Sequence, residues 1–559
     1  MTAGTDCDLL VLGSGAGGLT AAVTAARRGL SVIVAEKASL FGGSTALSGG
    51  WVWIPCNPAA RRDGIEDSLE AAETYIRAET GDGFDAARVR AYLEAGPRML
   101  EFLERETEVR FVADHSFSDY HPDQPGGRRG GRSLVAAPFD GRRLGPHLAR
   151  LRPPLRQQTF LGLSIGSGAL LKHFLNVTRS PRSAAIVARL MLGYGVQRLR
   201  YGRGIRLYNG NALAARLARA ALDNGVALWL DTTAESLLLA GGRVVGARLR
   251  RAGQPVAVTA GRGVVLATGG FPRDAARRAA HYPAALRCSI APAENSGDGI
   301  RMAEAAGARL QASPRSVAYT AVFSRLPGPE GALFPHFIDR AKPGIILVDE
   351  TGQRFCNEAE SYHDVAQAMI AAGIDGEARR AFFVADHRAV RRYGLGAARP
   401  APLPLGPHLR SGYLSRAGSP AALARLIGVD PAGLEATVAD FNAHARRGED
   451  PAFGRGATAY NIFQGDHLHR PNGCLAPLET PPFYAVAVRA GDFGTFAGLP
   501  TDAQARVLDA AGRPIPGLRA AGNDGLNVFG GACLGGGVTV GPAMVFGFIA
   551  GNSAAEDRA

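Results

Sequence analysis

The chain has 559 residues, of which 46% are hydrophobic and 20% are charged, and its formal net charge is +13. This length exceeds that of one ordinary domain and this composition excludes a disordered chain, so we expect two or three globular domains. The sequence has no Cys-x-x-Cys pair, no RRM, KH or zinc-finger motif, no signal peptide and no long uncharged apolar run. We therefore expect reduced cysteines, a cytoplasmic location, no metal site and no nucleic-acid partner.

The first predicted unit is a strand, a glycine-rich turn, a helix and a second strand. An apolar run at residues 8–12 precedes the sequence Gly-Ser-Gly-Ala-Gly-Gly, an alanine-rich segment and a β-branched run that ends at Glu36. In this order Gly13 permits the tight turn, Gly15 lets the backbone approach a pyrophosphate, and Gly18 allows close packing of helix and strand. Glu36 is placed to accept hydrogen bonds from a ribose diol and disfavours a 2′-phosphate. The unit therefore predicts a dinucleotide cofactor other than NADP.

A second loop rich in glycine and hydroxyl groups follows at residues 37–51. This loop is longer than an NAD domain needs and could wrap a larger cofactor. Ser44 and Thr45 would contact phosphate or ribityl oxygens, and Gly49 and Gly50 would approach a ring. The loop therefore favours FAD over NAD.

A basic segment follows in the middle of the first half of the chain. Between Asp140 and Asp223 the sequence has fifteen arginine and lysine residues and no acidic residue. Within it, residues 160–177 are mostly apolar and have arginine-rich flanks. Such an element can lie in a membrane interface against anionic lipid, or it can be a buried helix with basic ends. Peripheral contact with the inner face of the membrane through residues 140–205 is thus one of two interpretations.

Five further motifs resemble one flavoprotein superfamily. They occur in order as VVLATGGF (264–271), NSGDG (295–299), GIILVDETGQRFCNE (344–358), GLRAAGN (517–523) and GGGVTVGPAMVFGFIAG (535–551). Together with the N-terminal unit of strand, glycine turn, helix and strand, called the fingerprint below, they resemble the FAD-dependent fumarate reductase/3-ketosteroid dehydrogenase superfamily. The segment around residues 140–205 matches least well and resembles an insertion.

The resemblance implies an α/β fold with a discontinuous Rossmann-like FAD-binding domain and an inserted α+β substrate or cap domain. We expect the first FAD segment at residues 1–278, including the basic insertion, the cap domain at 279–484 and the second FAD segment at 485–559. Non-covalent FAD is implied, because no attachment residue is evident. The expected cofactor contacts are Gly13, Gly15, Ala16, Gly18, Glu36, Lys37, Gly43, Ser44, Thr45, Gly49, Gly50, Ala234, Asp298, Gly522, Asn523, Gly537 and Val538.

Two positions, at which the dicarboxylate enzymes have an arginine and a histidine, indicate the branch of the superfamily. Fumarate and succinate enzymes have an arginine where this chain has Tyr362, and a histidine in the region that here reads DFGTFAGLPTD (492–502) without one. Tyr362, together with the segment SDYHPDQPGG (118–127), resembles 3-ketosteroid 1-dehydrogenases instead. These enzymes remove a proton from carbon 2 and pass a hydride from carbon 1 to the flavin.

The same resemblance assigns catalytic roles. Tyr362 matches the proton-abstracting tyrosine, Tyr120 matches the tyrosine that assists it, and Gly537 matches the glycine whose N–H faces the ketone. The third tyrosine of the family, which polarises the ketone, is replaced here by Cys533. Tyr319, Tyr413 and His363 are candidates for its replacement, whereas His121 and His363 otherwise read as ordinary polar residues.

A phenol has a pKa near 10 and is a poor base unless its anion is stabilised. Glycines before an apolar helix can supply N–H dipoles to a developing enolate. We therefore expect a dehydrogenase that desaturates a hydrophobic cyclic ketone, foremost a 3-ketosteroid at its 1,2 bond, and then passes electrons to a quinone or another acceptor. The alternatives are a desaturase of smaller cyclic ketones or of another steroid bond, a fumarate reductase-like flavin reductase, and a non-catalytic flavoprotein.

Overall fold

The computed structural model describes residues 5–166, 169–313, 315–328 and 331–557. Its α-helices are α1 (Ala16–Arg27), α2 (Pro58–Arg62), α3 (Leu69–Thr80), α4 (Ala86–Glu106), α5 (Ala169–Leu175), α6 (Pro181–Tyr201), α7 (Asn209–Asp223), α8 (Ala275–His281), α9 (Asp298–Ala305), α10 (Tyr362–Ala371), α11 (His387–Tyr393), α12 (Gly406–Arg410), α13 (Pro420–Ile427), α14 (Pro431–Ala445), α15 (Ala459–Gln464) and α16 (Val540–Glu556).

The strands of the described chain are β1 (Thr5–Cys7), β2 (Leu9–Leu12), β3 (Val32–Ala35), β4 (Trp51–Trp53), β5 (Phe111–Ala113), β6 (Ser133–Ala136), β7 (Phe139–Asp140), β8 (Thr159–Phe160), β9 (Leu163–Ser164), β10 (Arg206–Leu207), β11 (Ala227–Trp229), β12 (Thr232–Ala240), β13 (Arg243–Arg251), β14 (Gln254–Ala260), β15 (Val264–Leu266), β16 (Cys288–Ser289), β17 (Ala318–Arg325), β18 (Leu333–Pro335), β19 (Ile345–Asp349), β20 (Ala381–Ala385), β21 (Ser415–Ala417), β22 (Phe483–Thr495), β23 (Arg506–Leu508) and β24 (Pro514–Ala520).

A six-stranded sheet forms the first layer of the fold, with the strand order β11-β3-β2-β15-β24-β23. All neighbours are parallel except the edge strand β23. Strands β2, β3 and β15 are apolar along their whole length and buried, as parallel strands covered on both faces require. Because the sheet takes strands from both ends of the chain, the predicted discontinuous Rossmann-like domain is confirmed.

Helices α1 and α16 pack against each other through small residues. A Cβ on Gly547 would lie 2.3 Å from the carbonyl oxygen of Gly17, and one on Gly551 would lie 2.6 Å from that of Ala21. Only glycine permits this close approach. The packing fixes the start of α16 beside the glycine turn at the start of α1.

Three strands, β11, β12 and β13, follow one another between residues 227 and 251. Strands β12 and β13 pair antiparallel within a four-stranded sheet of order β1-β14-β13-β12. The short strand β11 belongs instead to the large parallel sheet.

A seven-stranded sheet forms the second layer, with the path β18-β17-β22-β20-β19 and with β16 and β21 paired to β22. The long strand β22 crosses the expected domain boundary between residues 484 and 485. It pairs with β17 along one edge and with β20 along the other. The domain boundaries themselves stay a prediction.

The basic insertion begins and ends at one pair of strands, because β7 and β10 pair antiparallel with Asp140 opposite Arg206. The interpretation of residues 160–177 as a buried helix with basic ends is wrong. Strands β8 and β9 form a hairpin that ends at Ser164, and α5 starts at Ala169; residues 167 and 168 lie outside the described residues. Gly162, which has a positive φ of 91°, makes the tight turn between β8 and β9. In the described residues, no helix has the length and apolarity needed to span a membrane.

Candidate active site

The glycine turn has one face that is packed and one that is open. Gly13 has a φ of +106°, and a Cβ on Gly18 would lie 2.0 Å from the carbonyl oxygen of Gly13. A Cβ on Gly15 would instead have only the Oγ1 atom of Thr45, at 3.7 Å, near it. Gly13 and Gly18 thus close the turn, whereas Gly15 leaves room for a ligand in front of the first turn of α1.

Glu36 is held by the same turn. One carboxylate oxygen accepts hydrogen bonds from the backbone N–H and the hydroxyl of Ser14, at 3.0 and 2.6 Å. The other accepts from the backbone N–H of Ala38 at 2.9 Å. These bonds fix the carboxylate at the end of β3, with lone pairs left for a ribose diol.

The second predicted loop folds over the first. The Oγ1 atom of Thr45 accepts a hydrogen bond from the backbone N–H of Ala16 at 2.9 Å, and Ser44 Oγ accepts from Asn295 Nδ2 at 3.0 Å. Lys37 forms an ion pair of 2.8 Å with Asp298. The loop therefore lies beside the fingerprint turn, as a cofactor longer than a mononucleotide requires.

These residues border one cavity of about 1330 Å³. All the residues predicted to contact FAD line this cavity except Gly18 and Val538, which pack into the protein instead. The open space at Gly15 and the run of glycine and hydroxyl groups fit an FAD. The individual contacts stay a prediction.

Two of the predicted catalytic residues meet in the same cavity. The hydroxyl of Tyr120 lies 3.4 Å from that of Tyr362. Tyr120 comes from the loop after β5, and Tyr362 is the first residue of α10, 242 positions further along the chain. The hydroxyl of Tyr319, on β17, forms a hydrogen bond with Tyr362 as well. The hydroxyl of Tyr362 therefore lies between those of the other two phenols.

Burial and the neighbouring side chains shift the pKa of Tyr362 in opposite directions. Burial, with a smaller contribution from Cys533, raises the pKa of Tyr362 to about 12, although hydrogen bonds from Tyr120 and Tyr319 and the charge of Arg340 lower it. The pKa values of Tyr120 and Tyr319 are raised well above the ordinary value, first by burial and then by Tyr362. Of the three phenols, Tyr362 is therefore the one whose anion the site stabilises best.

The structure distinguishes the three candidates for the missing phenol. Tyr319 lines the cavity and lies near Cys533, whose thiol pKa burial raises well above its usual value and Tyr319 lowers. Tyr413 instead bonds Ser324 at 2.7 Å, outside the cavity lining. His363 is buried behind Tyr319, and burial lowers the pKa of its imidazole to about 4. Tyr319 alone of these three reaches the region of Cys533.

Gly537 lies at the turn that precedes α16. Its φ is +104°, and a Cβ there would lie 2.5 Å from the carbonyl of Trp51. In the described part of the chain, its backbone N–H has no protein acceptor. A free N–H beside the cavity, before a long apolar helix, is suited to bind an oxyanion.

His121 is more than an ordinary polar residue. Its Nδ1 atom lies 2.9 Å from Glu79, and its Nε2 atom lies 3.2 Å from Asp364. Burial lowers the pKa of His121, but the hydrogen bonds that its ring nitrogens donate to Asp364 and Glu79 outweigh this effect and raise the pKa to about 11. No motif in the sequence indicates this ion pair, although His121 follows Tyr120 directly and Asp364 follows Tyr362 by two positions.

The same neighbourhood contains the one described group of potential metal ligands. Ligand atoms of His121, Glu360 and Asp364 lie within 4.8 Å of one another. Both ring nitrogens of His121 already face carboxylates, so the geometry is that of an ion pair.

A family model described as FAD binding domain matches residues 8–540. The 4-oxocyclohex-2-ene-1-carboxylate 5-dehydrogenase of Sinomonas cyclohexanicum is 41% identical over 556 residues, which cover 98% of this chain and 94% of that protein. The 3-oxosteroid 1-dehydrogenase of Mycobacterium tuberculosis is 37% identical over 568 residues, which cover 97% of each.

A solved structure has the same fold. The 3-ketosteroid delta1-dehydrogenase from Sterolibacterium denitrificans, in complex with 1,4-androstadiene-3,17-dione, superimposes with a TM-score of 0.92 at 37% identity. The alignment covers 99% of this chain and 100% of that one.

Proposed function

The chain belongs to the FAD binding domain family, and from this membership we propose how its own residues carry out the oxidation. It is an FAD-dependent oxidoreductase that desaturates cyclic ketones. We propose that the double bond forms next to the ketone and that the substrate is a 3-ketosteroid oxidised at its 1,2 bond. The observation that carries this proposal is the hydroxyl of Tyr362 between those of Tyr120 and Tyr319.

Tyr362 takes the proton from the carbon next to the ketone. Its pKa of about 12 makes the phenolate a strong base once formed, and Tyr120 donates a hydrogen bond that stabilises it. The guanidinium of Arg340, 6.0 Å from the ring centroid of Tyr362, adds a favourable charge. The same contacts hold the phenol in one orientation.

The negative charge that develops on the ketone oxygen needs donors. The N–H of Gly537 supplies one, because no protein acceptor in the described chain competes for it. We propose that Tyr319 supplies the second in place of the phenol absent at Cys533, since its hydroxyl lies beside that of Tyr362 and its side chain lies near Cys533. Preorganised donors of this kind lower the barrier most where water is excluded.

The glycine turn of α1 and the loop of residues 37–51 would hold FAD, which when bound would supply a hydride acceptor. Aromatic side chains beside Tyr362 would form a wall for the substrate. The rings of Phe337 and Phe493 lie 5.1 and 5.8 Å from that of Tyr362. The substrate thus loses one proton and one hydride, and a quinone or another acceptor reoxidises the reduced enzyme.

A smaller cyclic ketone is the second candidate substrate, and Cys533 is the observation that favours it. The relative with 41% identity is named for an oxocyclohexene carboxylate, whereas the family pattern for steroid ketones has a tyrosine where this chain has Cys533. Turnover of androst-4-ene-3,17-dione and of 4-oxocyclohex-2-ene-1-carboxylate with an artificial acceptor tests the two candidates. Loss of two hydrogens from the steroid supports the first, and loss from the small ketone alone supports the second.

We also propose that the basic insertion contacts an anionic membrane. Leu192, Val196 and Leu199 share one face of α6, and all three are exposed, Leu199 by 91%. Exposed arginines flank this face, and no acidic residue occurs between residues 141 and 222. Apolar side chains among arginines fit the interface of a bilayer that contains anionic lipid.

Vesicle sedimentation tests the membrane contact. The holoenzyme should bind vesicles that contain phosphatidylglycerol, bind phosphatidylcholine vesicles less, and lose binding in the variant Leu199→Glu. Leu426→Glu, an exposed leucine on the cap helix α13, is the matched control. Equal binding by the two variants would contradict the proposal.

A further inference from the structure

The part of the cavity lining that comes from the insertion and the cap has an excess of positive charge. Arg152 pairs with Glu294, and Asp298 pairs with Lys37; besides these pairs, four cations of the insertion and the cap line the cavity, against two carboxylates. The cations are Lys172, Lys342, Arg392 and Arg399, and the carboxylates are Asp339 and Asp466.

Both carboxylates already have partners. Asp339 accepts from His336 Nδ1 and from the N–H of Gly396, each at 2.7 Å. Asp466 accepts from Arg392 at 3.2 Å and from the hydroxyl of Tyr393 at 2.8 Å. These bonds leave Lys172, Lys342 and Arg399 without an acid at salt-bridge distance among the described residues.

Arg399 is held as a cation that faces the cavity. One terminal nitrogen donates to the carbonyl oxygens of Gln157 and Thr159, at 2.6 and 3.3 Å. The remaining N–H groups have no acceptor in the described chain. Burial lowers the pKa of Arg399, and the charge of Asp339, which lies beyond salt-bridge distance, raises it by less.

Lys172 reaches the same space from the insertion. It lies on α5, is exposed, and forms no ion pair with a described residue. The rings of Phe160 and Phe174, 5.4 Å apart, join α5 to the hairpin that starts at Thr159. Lys172 and Arg399 are therefore anchored to the same small subdomain. Lys342 differs, because its ammonium group is bound by the carbonyl oxygens of Gln464 and Gly465.

Aromatic rings separate these cations from the phenols. Arg399 lies over the ring of Phe334 at 5.7 Å, and Phe337, which follows on the same segment, lies 5.1 Å from the ring of Tyr362. A substrate whose ketone lies at Tyr362 and whose body covers these rings would bring its other end to Arg399.

We propose that Lys172 and Arg399 form an anion subsite, and that the substrate is a cyclic ketone with a carboxylate at the end remote from the ketone. The inference rests on the proposed function and narrows its substrate class. A guanidinium and an ammonium group without an acidic partner bind a carboxylate through charge-assisted hydrogen bonds.

The test compares each acid with its neutral ester in the holoenzyme. The probes are 3-oxochol-4-en-24-oate and its methyl ester, and 4-oxocyclohex-2-ene-1-carboxylate and its methyl ester. We expect kcat/KM to favour the acid of at least one pair by about tenfold, which corresponds to about 1.4 kcal/mol. This preference should fall in 0.5 M salt, because an exposed ion pair is screened.

Arg399→Gln and Lys172→Gln should bring the ratio of acid to ester towards one, mainly through KM. Arg425→Gln, an exposed arginine on α13 outside the cavity, should leave the ratio unchanged. Equal kcat/KM for acid and ester in the wild type, or an unchanged ratio in Arg399→Gln, would overturn the subsite.

A binding titration separates this inference from the proposed function. If the enzyme turns over esters and neutral ketones but does not prefer acids, the subsite alone is wrong. If no ketone is oxidised, the proposed function fails. In that case, the subsite would still be supported if the steroid acid perturbs the spectrum of the bound flavin and its ester does not. The acid should no longer perturb this spectrum in Arg399→Gln. Absence of that difference would overturn it.

Discussion

The Nε2 atom of His121 lies 3.2 Å from a carboxylate oxygen of Asp364, and this contact joins the loop of Tyr120 to the helix that begins at Tyr362. The ion pair thus connects the two chain segments whose phenols must meet. Glu79 on α3 binds the other ring nitrogen and anchors the pair to the FAD-binding part of the molecule.

His121→Gln should destabilise the protein by about 2 kcal/mol, because it leaves two carboxylates without their cation. The folded-state pKa of His121 is about 11, above the unfolded value near 6.5. Its contribution to stability is therefore fully present below pH 6.5 and declines as the pH rises through 11. The pKa of Asp364 is lowered against the opposing effect of burial, first by its hydrogen bond with His121, so its contribution is lost in acid.

Urea unfolding at several pH values measures this difference. His115→Gln is the matched control, since His115 forms an exposed ion pair with Asp63, and it should cost well under 1 kcal/mol. A difference between wild type and His121→Gln that increases from pH 7 to pH 10 would contradict the assignment.

The fingerprint glycines allow folding and cofactor binding to be separated. Gly15→Ala places a methyl group in the open cavity, so it should weaken FAD binding and leave the melting temperature of the apoprotein unchanged. Gly18→Ala places it against the carbonyl of Gly13 and should destabilise the apoprotein by about 1–3 kcal/mol. Flavin content and apoprotein melting, measured together, check both. Equal effects of the two variants on melting would show that the open face at Gly15 is not a ligand site.

This part of the fold could be predicted from sequence because the interactions are local. Gly13, Gly15, Gly18 and Glu36 lie within a single strand–helix–strand unit, and each has a role set by backbone geometry. The outcome differed for residues 160–177, where the apolar composition did not reveal the hairpin turn at Gly162, between β8 and β9 and before α5.

The candidate site could be predicted only in part. Resemblance identified Tyr120 and Tyr362, but the choice of Tyr319 among three residues depends on β17, which lies beside α10 only in the folded protein. The ion pair of His121 and Asp364 joins residues 243 positions apart. No periodicity or spacing in the sequence specifies such a contact.

Tyr319→Phe should lower kcat by roughly 10²–10³-fold, because it removes one donor from the site where charge develops. Tyr413→Phe serves as the control, since the Tyr413 hydroxyl bonds Ser324 and the backbone of Ala397 away from the cavity lining. It should change kcat less than threefold by the same reasoning. A larger loss in Tyr413→Phe than in Tyr319→Phe would exclude Tyr319 as the replacement phenol.

The rate of oxidation should increase with pH. Because the pKa of Tyr362 is about 12, the fraction of phenolate grows about tenfold per unit of pH over the neutral and mildly alkaline range. Tyr120→Phe removes a hydrogen bond that lowers this pKa, so its profile should shift to higher pH. The measurement is kcat/KM for an uncharged ketone between pH 7 and pH 10, and a flat wild-type profile would argue against a phenol base.

Anaerobic reduction of the bound flavin by a ketone tests the central claim most directly. The wild-type holoenzyme, mixed in a stopped-flow instrument with androst-4-ene-3,17-dione or with 4-oxocyclohex-2-ene-1-carboxylate, should lose its yellow colour as the ketone is desaturated. Tyr362→Phe, with the same flavin content, should bleach at least 10²-fold more slowly. Bleaching by succinate alone, or equal rates in wild type and Tyr362→Phe, would contradict the assignment of Tyr362 as the base that removes a proton next to a ketone.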